Sequence, residues 1–195
     1  MTFSERHFAA RGWVLAAALI LLLVARARMN QDVAPLRPAW LLLVLAGIAL
    51  RLWAGTHLGA HGNAARAQAP QLATGGPYRF SRNPLYLSNL LVAAGLVLYA
   101  HAFSVLVSAL FILAILAHHI LLVRHEEAVL AQRFGAVYAA YRREVPRWIG
   151  LPRTNGKHES GEEGAPPRTL GVRQGRNVAY TLIAVLAVWI AARWF

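Results

Sequence analysis

From Asn83 to Val123 the chain carries no Asp, Glu, Lys or Arg. One transmembrane helix needs only about 20 mostly apolar residues, so this run is long enough for two. Backbone polar groups inside a bilayer must be satisfied within the chain, which leaves helices as the natural form. The run therefore reads as a helical hairpin. The more polar stretch "YAHAFS", Tyr99–Ser104, marks its turn, with one helix over about Pro84–Leu98 and the next over about Phe103–Val123. Pro84 suits the first turn of a helix, where its missing N–H costs nothing.

Three more apolar segments surround the hairpin. They are about Phe8–Ala25, with Arg11 at its edge; about Pro38–Gly55, with Arg51 near one end where it can snorkel to the interface; and Val178–Ala192, closed by an anchoring "RWF". Charged residues make up only 14 % of the chain, against roughly a quarter in a soluble domain. The expected fold is all-α: a polytopic membrane protein of about five transmembrane helices built around the hairpin. Ala25-Arg26-Ala27 loosely fits a cleavage site, so a cleaved leader is an alternative for the first segment. An uncleaved span is the simpler reading, since further apolar segments follow. The organisation expected is two N-terminal spans (1–57), a core (58–149), a flexible Gly-, Pro- and charge-rich linker (150–177) and a C-terminal anchor (178–195).

Lys and Arg number 20 against 8 Asp and Glu. In a soluble protein this excess points to nucleic acid; here the arginines sit between apolar segments and read as topology and contact with anionic lipid. The uncharged hairpin turn lies outside, and the arginine-rich flanks before Asn83 and after Val123 lie in the cytoplasm. The first loop, with Arg26, Arg28 and Arg37, breaks that rule. Cysteine is absent, which excludes disulfides, thiolate catalysis and Cys-ligated metals. His57 and His61 have helical i, i+4 spacing, but lack a third ligand nearby and are flanked by glycines, so no metal site is expected. Nothing in the pattern requires a protein partner.

The ends of a helical hairpin meet in space. This brings "GPYRFSRNPLYL", Gly76–Leu87, beside Glu126-Glu127 and the amphipathic segment Arg124–Trp148. In that segment Leu130, Phe134, Val137 and Tyr141 share a helical face; Gly135 is a weak point, and Pro146 forces Val145 out of helical geometry. Adjacent carboxylates at a membrane boundary are costly to desolvate. They suit a bound ammonium or sulfonium, or sugar hydroxyls; facing water beside Arg124 or Arg133 serves them equally well. Arg79 and Arg82 fit plain topology, and Tyr78 and Tyr86 fit an interfacial belt. His118 and His119 are intramembrane ionisable residues, of which only one can face a given site. The start of the first hairpin helix offers free N–H groups to an anion.

"TGGPYRFSRNPLYL" followed across the hairpin by "RHEEAVLAQRFGAVYAAYRREVPRW" resembles the isoprenylcysteine carboxyl methyltransferases and the related phospholipid methyltransferases. These are integral membrane enzymes with the pattern Gly-x-Tyr-x-x-x-Arg-His-Pro-x-Tyr, then Glu-Glu, Phe-Gly, spaced tyrosines and Val-Pro. The resemblance covers about Leu58–Trp148. It implies S-adenosylmethionine as cofactor, held by Leu72 and Ala73 (through the backbone), Tyr78, Asn83, Pro84, Leu85, Tyr86 and Glu126, with Glu127 beside them. It also implies a lipidic or small hydrophobic acceptor bearing a carboxylate, amine or thiol; the intramembrane His119 and Arg124, displaced by two from the family's arginine, are the candidate substrate residues. Asn83 stands where the family has histidine and Ser88 where glycine is common. Leu122 stands where the eukaryotic enzymes carry a substrate-placing arginine. A sterol-reductase-type enzyme using NADPH shares a similar loop and is the alternative, as is a scaffold relative without activity.

Overall fold

The computed structural model describes residues 3–28, 37–58, 72–151 and 172–194. Among these residues there are five α-helices and no strand: α1 (Phe3–Ala27), α2 (Leu41–Thr56), α3 (Pro84–Ala100), α4 (Val105–Glu144) and α5 (Val172–Trp194). Three of the helical stretches are long and apolar enough to cross a membrane: Pro38–Thr56, Val105–Glu144 and Gly175–Arg193. Trp13–Ala27 and Pro84–Ala100 are shorter apolar helices. The protein is a helical membrane bundle. It carries its apolar side chains outward as well as inward, with Leu42, Leu45, Leu106, Leu110, Leu182 and Ile183 all exposed.

The hairpin is present. Pro84 opens α3, and His101 closes it in the left-handed backbone region (φ 47°). Ser104 then starts α4 by accepting the Val107 N–H with its side chain. α3 sits between α2 and α4 and is the most enclosed of the helices. It approaches α2 through glycine: a Cβ on Gly47 would stand 2.8 Å from Val92 and 2.9 Å from the Ser88 carbonyl, and one on Gly95 would stand 2.7 Å from Val44. Small residues bring helices close in bilayers, where no hydrophobic force drives them together. α1 and α5 pack on each other and complete the apolar core, joining Leu22 and Val188 to Val44, Leu96 and Val97.

α4 has 40 residues, or about 60 Å, twice the thickness of the hydrocarbon core. The hairpin helix and the amphipathic segment, expected as separate pieces, are therefore joined in one element that leaves the bilayer. Gly135 breaks its regularity with φ 48° and ψ −119°. That break changes the buried face. Val137 is exposed, while Tyr138 joins Leu130, Tyr141 and Val145 in a buried cluster. The unbroken period that put Val137 inward does not continue past the glycine. Val145 is extended (ψ 129°) ahead of Pro146, as expected.

α5 begins at Val172, so residues 172–177 are helical where linker was expected. Most of that linker, and His61, lie outside the described residues.

Candidate functional site

Glu127 ties the loop before α3 to the chain leaving α4. Its carboxylate is 5 % exposed. One oxygen accepts the Asn83 Nδ2 at 2.9 Å and lies 3.4 Å from Arg82; the other accepts both Nε and Nη2 of Arg147, at 3.1 and 2.9 Å. Asn83 Nδ2 also donates to the Arg147 carbonyl at 3.2 Å. Two acceptors on that side fix the amide orientation, so Asn83 Oδ1 points elsewhere. Backbone bonds complete the staple: Arg82 N–H to the Pro146 carbonyl at 2.9 Å, and Gly150 N–H to the Phe80 carbonyl at 3.1 Å. The Tyr141 hydroxyl donates to the Tyr78 carbonyl at 2.8 Å. Gly76, at φ +56°, lies so close under the His57 ring that a Cβ there would overlap it.

Glu126, one residue earlier, takes a different course. It is 8 % exposed, accepts the Tyr86 hydroxyl at 2.7 Å and lines a cavity of about 620 Å³. No cation pairs with it among the described residues. The α4 wall of the cavity runs Glu126, Leu122, His119, Ile115, Phe111, a single face at helical spacing. The α3 wall runs the opposite way, from Asn83, Leu85 and Tyr86 through Asn89 to Val92 and Leu96. The cavity is thus polar where the loop meets α4, mixed at the level of His119 and Asn89, and apolar beyond. Leu15, Leu19 and Leu22 of α1 line the apolar part from the other side.

Of the residues singled out from sequence, Tyr78, Asn83, Pro84, Leu85, Tyr86, Glu126 and His119 line this one cavity. Glu127 does not: its carboxylate is taken up by the staple. Leu72 packs against the Leu130–Tyr141 cluster, and Ala73 against Leu58, Tyr78 and Leu85, both behind the wall. Arg124 is exposed and away from the cavity, and His118 is buried off its lining. The cations paired with Glu127 differ from the Arg124 and Arg133 expected: they are Arg82 and Arg147, on the two segments that Glu127 joins.

Sequence reasoning missed several members. Arg51 does not snorkel; it is buried, lines the cavity and donates to Asn89. An arginine within a span and an asparagine in an uncharged run were the available signals. Asn177, Tyr180, Thr181 and Ala184 give α5 a cavity-lining stripe, visible in retrospect as polar residues at i, i+3 and i+4.

Fold and site together define a helical membrane protein with a cavity leading from a buried carboxylate to an apolar interior. The sequence profile of the phospholipid methyltransferase family matches residues 39–137, just over half of the chain. That stretch holds α2, the segment before α3, the hairpin and Glu126; Tyr141 and the Val145–Gly150 strap of the stapled site lie beyond it. The chain belongs to this family of membrane methyltransferases. No curated protein and no solved structure matches the chain.

Proposed function

We propose that the chain is an S-adenosylmethionine-dependent methyltransferase acting on a lipidic or small hydrophobic acceptor. The observation that carries this reading is Glu126. A carboxylate that is nine-tenths buried, lines a cavity and has, among the described residues, only a tyrosine hydroxyl for a partner is costly unless a cation joins it. Asn83 is also a lining residue, and its Oδ1 is buried without a donor among the described residues. These two acceptors at one end suit a ligand with a positive centre and N–H groups, which a sulfonium bearing an amino-acid group supplies.

The residues that would hold the cofactor are Tyr78, Asn83, Pro84, Leu85, Tyr86 and Glu126. Leu72 and Ala73 back the loop, and Glu127 holds Asn83 in place. Asn83 does not spend its side chain on capping α3, which leaves the helix's N-terminal amides for a carboxylate. When bound, the cofactor supplies an electrophilic methyl group on a sulfur that leaves as a neutral thioether. The protein's task is then alignment, which can contribute several kcal/mol. The apolar half of the cavity, between α1, α3 and α4, accepts the acceptor's hydrocarbon part. Arg79, Arg124, Arg142 and Arg143 are exposed around the loop's side of the bundle, which supports a cytoplasmic cofactor end under the charge rule.

The reductase alternative uses a similar loop, and the family match over the hairpin favours methyl transfer. Titrating the purified protein with S-adenosylmethionine and with NADPH separates them. Saturable binding of the first supports the proposal. Binding of NADPH alone overturns it, and binding of neither favours the inactive scaffold.

A further inference from the structure

His119 belongs to the cavity wall two helical turns deeper than Glu126. Its Nδ1 lies 2.8 Å from the Ile115 carbonyl. A carbonyl only accepts, so Nδ1 carries the proton, and in the neutral ring Nε2 holds a bare lone pair. Nε2 is buried with no hydrogen-bond partner among the described residues, and the whole side chain is 1 % exposed. The ring packs edge-on to Tyr86 with centres 5.8 Å apart, and Tyr86 in turn holds Glu126. One tyrosine therefore links the carboxylate at the cofactor end to an imidazole at the start of the apolar half. A buried acceptor without a donor is costly, and a ligand N–H or O–H at this wall removes the cost.

We propose that Nε2 of His119 receives the proton of the methyl acceptor, so that the acceptor is a protic nitrogen or oxygen nucleophile on a hydrophobic body. A carboxylate has no proton to give, and its charge would meet the lone pair. This inference rests on the methyltransferase reading. The acceptor's N–H or O–H bond breaks, the proton bonds to Nε2, and the electron pair stays on the acceptor atom to bond the methyl carbon. The electron pair of the methyl–sulfur bond stays on sulfur. The imidazolium keeps its bond to the Ile115 carbonyl, stronger for the charge, and loses its proton to water after product leaves. Among the described residues, the other titratable groups around the cavity are Arg51 on α2, Tyr78 in the loop, Tyr86 on α3, Glu126 on α4 and Tyr180 on α5. His118 packs on His119 from its own helix, and the described α1 residues lining the cavity, Leu15 to Leu22, are apolar.

The test combines nitrogen-15 histidine NMR with methyl transfer, using the full chain in detergent. The probes are dodecylamine, nonylphenol and dodecanoate, and the variants are His119→Gln and, as a control off the cavity, His118→Gln. The expected result is a His119 Nε2 signal that is unprotonated at neutral pH and moves with the amine or phenol but not with dodecanoate. His119→Gln binds S-adenosylmethionine like wild type yet transfers to protic probes about 100-fold more slowly. Its residual rate climbs with pH where the wild-type rate levels off. A protonated Nε2, an equal response to dodecanoate, or a His119→Gln rate equal to wild type overturns the inference. Loss of cofactor binding in wild type itself would strike the methyltransferase reading instead, and the NMR signal would still decide the role of Nε2.

Discussion

Glu126 and Glu127 are neighbours on α4 with separate surroundings: Glu126 meets the Tyr86 hydroxyl at 2.7 Å in the cavity wall, and Glu127 meets Asn83 at 2.9 Å behind it. One carboxylate is available to a ligand. The other is used up in holding the fold.

Their removal should therefore have opposite signatures. Glu127→Ala leaves Arg82 buried without its carboxylate and should cost about 3 kcal/mol or more, most of it from Arg82 because Arg147 is partly open to water. Glu126→Ala removes a buried carboxylate with no cationic partner among the described residues and should leave stability unchanged or raised. Thermal unfolding in detergent distinguishes the two; equal losses would contradict the division of labour.

Gly135 should tolerate no side chain, although nothing crowds it. A Cβ there meets no atom within 4 Å, so the cost of Gly135→Ala is the backbone strain of a positive φ, about 1–3 kcal/mol. If the helix straightens instead, Tyr141 loses its bond to the Tyr78 carbonyl, and cofactor affinity should fall with stability. Unfolding and binding measured on the same variant test this. A variant unchanged in both contradicts it.

The glycines between α2 and α3 are limited by contact rather than strain. Gly95→Ala drives a methyl into Val44 and should cost about 1–3 kcal/mol. Val44→Ala should recover only part of this, because the Val44 backbone nitrogen remains 3.0 Å away. A double-mutant cycle in detergent reads the coupling, and strict additivity would refute the contact.

The apolar end of the cavity can be filled without touching the polar end. Leu19→Trp on α1 should raise KM for long-chain acceptors several-fold and leave cofactor affinity unchanged. A parallel loss of cofactor binding would mean that the two ends are not separate.

The hairpin was legible because a bilayer allows few interpretations of an uncharged run of that length, and Pro84 and the polar turn fixed its ends. The convergence of Tyr86 and Glu126 followed from the hairpin. The remainder depended on facts that periodicity does not carry. Arg51 near the end of a span looks free to snorkel until Asn89, on another helix, is placed beside it. Val137 was assigned inward by a period that Gly135 interrupts. Arg147 lies past Pro146, where helical reasoning ends, so its reach back to Glu127 was not visible. The α5 stripe has meaning only once α1 and α5 are seen closing the cavity.

The most direct measurement is calorimetric titration of the purified protein with S-adenosylmethionine and S-adenosylhomocysteine, set beside Glu126→Gln and Tyr86→Phe. The account predicts saturable binding by wild type and a loss of about 10- to 100-fold for S-adenosylmethionine in Glu126→Gln, with unfolding behaviour intact. Tyr86→Phe should lose less, and the neutral thioether should be less sensitive to Glu126 than the sulfonium. Wild-type binding that is indifferent to Glu126 would contradict the central claim that this carboxylate holds the cofactor's positive centre.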